Sequence, residues 1–214
     1  MEKLVTNEVR LSYPYLFTPI LNKQSAELEY RTDLLIPKSD VAFVAAFNAA
    51  IDKVIAADPE LQKTAQRNRA KLKLPQLKDG DLKEDKDGNP VPEYAGNWHI
   101  TVKTDKVDNK SASKATKPED LVKPVLYCER LEKGKKVPGD LTNPTEIYGG
   151  VYARALVKFF KFDNSYGQGV SIRLIAVVKT RDGESFGKAP EEFNIASAFG
   201  LHPAEELTSE LFDL

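Results

Sequence analysis

Cysteine is nearly absent from this 214-residue chain. Cys128 stands alone, so no internal disulfide can form, and a reducing compartment is expected. Histidine is scarce as well. His99 and His202 lie far apart in sequence, whereas a zinc site needs more ligands at paired spacing. No apolar run approaches the roughly 20 residues of a spanning helix. The opening "MEKLVTNEVR" lacks the apolar core of a secretory signal. These absences exclude a disulfide-stapled scaffold and a helical membrane span, and the cytoplasm is the expected location.

Catalytic motifs are missing too. No G-x-S-x-G elbow occurs. "GESFGK" (183–188) is one residue short of a phosphate-binding loop, and Ala189 stands where Ser or Thr would hold magnesium. "KEDKDG" puts Lys83 at the first ligand position of a calcium loop and Tyr94 at the twelfth. Both stretches read as turns. Cys128 reads as a small buried hydrophobe. The expectation is a protein with no cofactor, no metal and no enzymatic activity. A carboxylate–metal nuclease stays open as an alternative, because acids are plentiful. A virion or assembly component is a second alternative.

One further absence is positional. No Lys or Arg follows Lys188, while Glu191, Glu192, Glu205, Glu206, Glu210 and Asp213 do. Residues 1–188 therefore carry all 31 basic side chains against 26 of the 32 acidic ones, the other six lying beyond Lys188. A basic body with an acidic arm fits a basic binding surface and a segment that competes for it. It equally fits an ordinary solvated tail.

What is present is core material and β-pattern. Hydrophobic residues make up 41% and charged residues 29%, enough to bury a core. Residues 4–17 and 27–36 read as strands. "SDVAFVAAFNAAIDKVIAAD" then switches to helical period, with Val41, Val44, Ala45, Phe47, Ile51, Val54 and Ile55 on one stripe. Ser39 or Asp40 can cap it, and Asp58-Pro59 ends it. A weaker helix is expected near residues 60–71. Residues 75–97 and 105–120 read as loops around the strand "WHITVKT". "PVLYCER" is a short strand and "LEKGKKVPGDLTNPTE" a turn-rich connection. "GGVYARALVKFFKF" and "GQGVSIRLIAVVKT" form a hairpin about "DNSYG". The fold class is β-rich α+β, a small antiparallel barrel with one main inserted helix over about 39–72. One domain spans 1–190, and 191–214 form an acidic C-terminal tail.

Alternation assigns faces within the hairpin. Val151, Ala153, Ala155, Val157 and Phe159 share the core side of its first strand. Val170, Ile172, Leu174, Ala176 and Val178 share that of the second. The opposite face mixes Tyr152 and Phe160 with Arg154, Lys158, Arg173 and Lys179. Rings stack with unpaired bases and cations meet phosphates, so such a face suits a single strand. It also fits a solvated sheet surface half covered by the helix. In "RLSYPYLFTP" the rings Tyr13, Tyr15 and Phe17 share a side, with Pro14 and Pro19 at an edge or bend. A barrel's first strand must supply buried rings, which favours the core for them. A platform for a flat ligand is the alternative.

Five stretches, in order, then resemble a family of phage-encoded single-stranded DNA-binding proteins: "RLSYPYLFTP", "YRTDLLIPKSD", "EYAGNWHI", "YGGVYARALVKFFKFDN" and "VVKTRDGESFG". The resemblance runs from about Val9 to Phe193. The family is similar in plan to the single-stranded DNA-binding protein of short-tailed coliphages. It implies an OB-fold core, an added helix and an acidic tail ending in an aromatic residue. It also implies coating of single-stranded DNA, without sequence preference, in phage replication or recombination. Trp98 and Tyr127 would join Tyr152 and Phe160 as stacking rings. Lys103 and Arg181 would join Arg154, Lys158, Arg173 and Lys179 on phosphates. Glu205, Glu206, Glu210, Phe212 and Asp213 would cover this surface without DNA and recruit replication or recombination proteins when released. Phe212 is followed by Asp213 and Leu214, so the strictly terminal aromatic is absent. A homodimer stays open.

Overall fold

Among the described residues, two α-helices and nine strands follow from where the periodicity changes. The computed structural model describes residues 1–107, 114–132, 135–165 and 167–187. The first strand of the sequence reading is two strands, β1 (Glu2–Val5) and β2 (Val9–Asn22), separated by a short break. Next come β3 (Glu27–Pro37), α1 (Val41–Ala56) and α2 (Pro59–Asn68). A two-residue β4 (Lys78–Asp79) precedes β5 (Asn97–Lys103). The remaining strands are β6 (Val125–Glu132), β7 (Lys135–Asp140), β8 (Tyr152–Asn164) and β9 (Gly167–Arg181).

Helix α1 starts where Asp40 accepts a hydrogen bond from the Phe43 amide (3.0 Å). Asp58 caps α2 in the same way through the amides of Glu60 and Leu61, and Pro59 occupies the first helical position. The buried stripe of α1 is Phe43, Phe47, Ala50, Ile51, Val54 and Ile55. Val41, expected on that stripe, is exposed. The Phe47 ring meets Phe159 of β8 edge-on at 5.2 Å. No helix among the described residues is long and apolar enough to cross a membrane.

The hydrogen-bonded order is β4-β5-β3-β2-β8-β9-β6-β7, with β1 also paired to β8. All pairs are antiparallel except β6 with β9. No ladder joins β5 to β9 among the described residues, so the sheet is open rather than a closed barrel. Strand β7 corrects the sequence reading. Residues 135–140, expected in a turn-rich connection, pair with Tyr127–Glu132.

Register irregularities re-aim side chains. Leu156 faces Ala176 whereas Val157 faces Leu174, so Ile175 is an extra residue in β9. Beyond this bulge the alternation reverses. Val170, Ile172 and Leu174 are buried as expected, but Val177 and Lys179 then turn inward in place of Ala176 and Val178. On the partner strand Val151, Ala153, Ala155, Val157 and Phe159 are all buried, as their alternation requires. Strand β2 leaves its register with β3 between Ser12 and Tyr15 and again between Tyr15 and Ile20. Pro14 and Pro19 sit within these two departures, where no ladder amide is needed.

Candidate nucleic-acid interface

The sheet curls so that β5 and β9, well separated in hydrogen-bonded order, border the same space. Lys103 of β5 and Arg173 of β9 line two adjoining cavities of about 410 and 520 Å³. The smaller shares Arg31 and Thr101 with a third cavity of about 660 Å³. That one shares Tyr13 and Tyr15 with a fourth of about 450 Å³. Together they form one groove, entered at Phe160 and leaving past Tyr13.

At the first end, Phe160 lies among cations. The Lys158 nitrogen is 5.7 Å and the Arg173 guanidinium carbon 5.5 Å from its ring centroid. Both cations reach Asp105, Lys158 through a close contact and Arg173 at 3.6 Å. Arg173 also donates to Ser171 Oγ at 2.7 Å and to the Ile172 carbonyl at 2.9 Å. Burial pushes the Arg173 guanidinium below its ordinary value, and the carboxylates of Asp105 and Glu29 oppose that shift. Further along, Lys103 and Arg31 face each other across the β3–β5 ladder. Both approach Glu29, at 2.6 and 3.7 Å, and that acid is only 5% exposed. Each carboxylate thus holds two cations apart, so the groove keeps an excess of positive charge in fixed positions.

At the far end are the first-strand rings. Tyr13 is 53% exposed, and its backbone takes the left-handed conformation (φ 47°) that the β2 bulge imposes. Tyr15 lies 5.9 Å from the Arg31 guanidinium. Burial first, then Glu93 and Asp33, push the Tyr13 hydroxyl above its ordinary value. Core packing, favoured in the sequence reading for all three rings, holds for Phe17 only. The bulge adds one residue and turns the other two toward the groove.

The sequence-derived residues divide into groups. Lys158, Phe160, Arg173 and Lys103 come together in the groove. Tyr152 and Arg181 pair at the other end of the hairpin, the guanidinium 3.3 Å from the ring centroid, and Arg181 also grips Glu8 at 2.8 Å. Arg154 is exposed and donates to the Thr6 carbonyl at 3.2 Å. Lys179 does not share the outer face. It is 9% exposed, with Asp182 at 2.8 Å and Glu146 at 3.7 Å. Burial alone would lower its ammonium value, but those two acids overcome burial and raise it. Trp98 packs against the main core, with Lys38 5.1 Å from its ring. Tyr127 is half-buried on β6 between β9 and β7. Glu205, Glu206, Glu210, Phe212 and Asp213 lie outside the described residues.

Several groove residues escaped the sequence reading. Phe162 continues the Phe160 face by simple alternation and lines the 410 Å³ cavity. Glu29, Arg31 and Asp33 are the polar half of an alternating strand, a signal that was available. Asp105 and Lys73 sit in irregular segments where periodicity says nothing. Among the described residues, no three His, Cys, Asp or Glu side chains are placed to hold a metal ion.

Comparison with known proteins agrees with this architecture. Protein p50 of Acyrthosiphon pisum secondary endosymbiont phage 1 is 31% identical over 192 residues, 86% of each chain. The single-stranded DNA-binding protein of bacteriophage Enc34, solved in complex with ssDNA, is similar at 26% identity and a TM-score of 0.51, over 86% of this chain and 89% of that one. The single-stranded DNA-binding protein gp2.5 of bacteriophage T7 shares the fold at 18% identity and a TM-score of 0.51, over 97% and 99% of the two chains. Residues 2–208 match the family described by the ssDNA-binding protein of Enterobacter phage Enc34, and the chain belongs to that family.

Proposed function

We propose that this protein binds single-stranded DNA in the groove between β3–β5 and β8–β9, without base preference, during phage DNA replication or recombination. Family membership supports the reading, as does the related Enc34 protein whose structure holds ssDNA. The observation that carries it is Phe160 beside both Lys158 and Arg173 in an open cavity. A ring flanked by cations offers a base its face and the adjoining phosphates their counter-charge. Duplex DNA hides base faces, so the arrangement selects single strands. The curled sheet with β5 near β9 is read as an OB-type barrel. The protein is read as a binding protein rather than an enzyme, acting in the host cytoplasm. Residues 191–214 act as an acidic arm that competes with DNA and recruits replication or recombination partners.

The test is fluorescence anisotropy of a labelled oligothymidine at low and moderate salt, with duplex of equal length as competitor. Salt-sensitive binding that duplex leaves intact is expected. Phe160→Ala should then weaken binding by about 1–3 kcal/mol, the usual worth of one stacked base. Absence of binding at low salt would refute the reading.

A further inference from the structure

Several cations of this protein are tied to carboxylates among the described residues, while others are left to solvent. Lys38, Lys103, Lys158, Lys161, Arg69 and Arg181 each meet a carboxylate. Lys63, Arg67, Lys71 and Lys73 do not. All four side chains are exposed, and none of these side chains has a hydrogen bond or ion pair among the described residues.

They follow one another along one segment of the chain. Lys63 and Arg67 are four residues apart on α2, and Lys71 follows four residues later at the end of a 3-10 turn (Arg69–Lys71). At 1.5 Å per residue the step from Lys63 to Arg67 is about 6 Å, comparable to the spacing of phosphates along an extended strand, and Lys71 lies beyond the extended backbone of Asn68 (φ −164°, ψ 100°). Like charges at this spacing work against the helix. The helix dipole accounts for Arg67 in the last turn, but not for Lys63 in the first half nor for Lys73 beyond the end.

The row is also rigidly mounted and continuous with the groove. Leu61 and Leu72 anchor the segment in the main core. Gln168 of β9 donates to Thr64 Oγ1 at 2.8 Å, and Lys161 of β8 meets the capping Asp58 at 2.8 Å. The Lys73 amide donates to the Gln168 carbonyl at 3.1 Å, and the Val170 amide donates to the Lys73 carbonyl at 3.0 Å. Gly169 permits that approach, since a Cβ there would strike the Lys73 carbonyl. Lys73 itself lines the 410 Å³ cavity with Arg31, Lys103 and Arg173.

We infer that Lys73, Lys71, Arg67 and Lys63 form a second contact track, which branches from the groove at its middle cavity beside Phe162 and takes the phosphodiester backbone of the single strand there. The track offers no aromatic ring, so it reads phosphates only. This rests on the groove being the single-strand site. Its consequence is a footprint longer than the groove, with the added part purely electrostatic.

The test uses the full chain with Lys63→Ala, Arg67→Ala and Lys71→Ala combined. The three side chains have no partners to orphan, and alanine favours helix, so the fold is retained; thermal melting checks this. Anisotropy is read against salt with two oligothymidines, one of about 8 nucleotides, near the site size of a single OB-type groove, and one of about 20. With the long strand, the slope of log K against log salt should become shallower by about 2, at roughly 0.7 per lost phosphate contact. With the short strand it should match the parent. An unchanged long-strand slope overturns the track, and is what a surface for acidic polypeptide would give. An equal change on both strands also overturns it, as a general charge effect. Failure of the parent to bind either strand overturns the groove reading itself.

Discussion

Lys158 and Arg173 are direct neighbours across the β8–β9 ladder, and both reach the carboxylate of Asp105. Two cations in that register repel one another. The acid makes the arrangement tenable while leaving a net positive charge beside the Phe160 ring. Asp105→Asn should therefore have opposite effects on folding and on binding. Loss of charge-assisted contacts costs about 1–2 kcal/mol, which lowers Tm by several degrees in a domain of this size. Affinity for oligothymidine at low salt should rise severalfold, because a negative charge leaves the groove. Melting and anisotropy on one preparation decide it; weaker binding would mean that Asp105 positions the cations more than it neutralises them.

Tyr13 separates ring from backbone. Its left-handed conformation suits asparagine better than tyrosine, and its side chain is largely exposed. Tyr13→Asn should hold Tm within a few degrees while weakening single-strand binding, by up to the about 1–3 kcal/mol of one stacked base. Unchanged binding would remove Tyr13 from the strand's path.

His99 links pH to stability. The side chain is buried, Nδ1 has no partner among the described residues, and the ring meets Tyr94 edge-on at 5.0 Å. Burial lowers its affinity for protons below the usual 6.5; Asp33 and Asp79 oppose the shift, while Lys83 and Lys78 add to it. The folded state thus keeps the ring neutral where the unfolded chain already takes up a proton. Its contribution is complete above the unfolded value of 6.5 and is lost as pH falls from there toward the lower folded value. Asp58, Asp79, Asp81 and Asp182, all held low by partners, titrate only in stronger acid. Urea unfolding at pH 7.5 and 5.5 should show a loss that is smaller in His99→Gln. An equal loss in the variant would assign the effect to other groups.

The acidic arm is tested by removing residues 201–214. The deletion takes away Glu205, Glu206, Glu210 and Asp213, four of the six acids beyond Lys188. If the arm competes for the groove, affinity at low salt rises and the gain fades as salt screens it. Affinity identical to that of the full chain would end the competition model.

Much of this was legible in the chain itself. Helix α1 announced its period, its cap and its proline stop. The β8–β9 hairpin announced its turn and the buried face from Val151 to Phe159. Two of the failures share one physical origin. Bulges at Ile175 and Tyr13 insert single residues, and a period of two then reverses every side chain beyond them. That reversal carried Lys179 inward and brought Tyr13 and Tyr15 to the groove. No local residue pattern marks Ile175 as the extra residue, because the flanking aliphatics suit either face. Asp105 and Lys73 reach the groove through tertiary contacts of loops, which periodicity does not record.

The most direct measurement is the map of contacts. Oligothymidine containing bromodeoxyuridine would be crosslinked to the full protein by ultraviolet light, and the modified peptides identified by mass spectrometry. The account predicts adducts at Phe160 or Phe162 and at Tyr13 or Tyr15, lost when unlabelled single strand competes and retained with duplex. Adducts confined to Trp98 or Tyr127, with none in the groove, would contradict it.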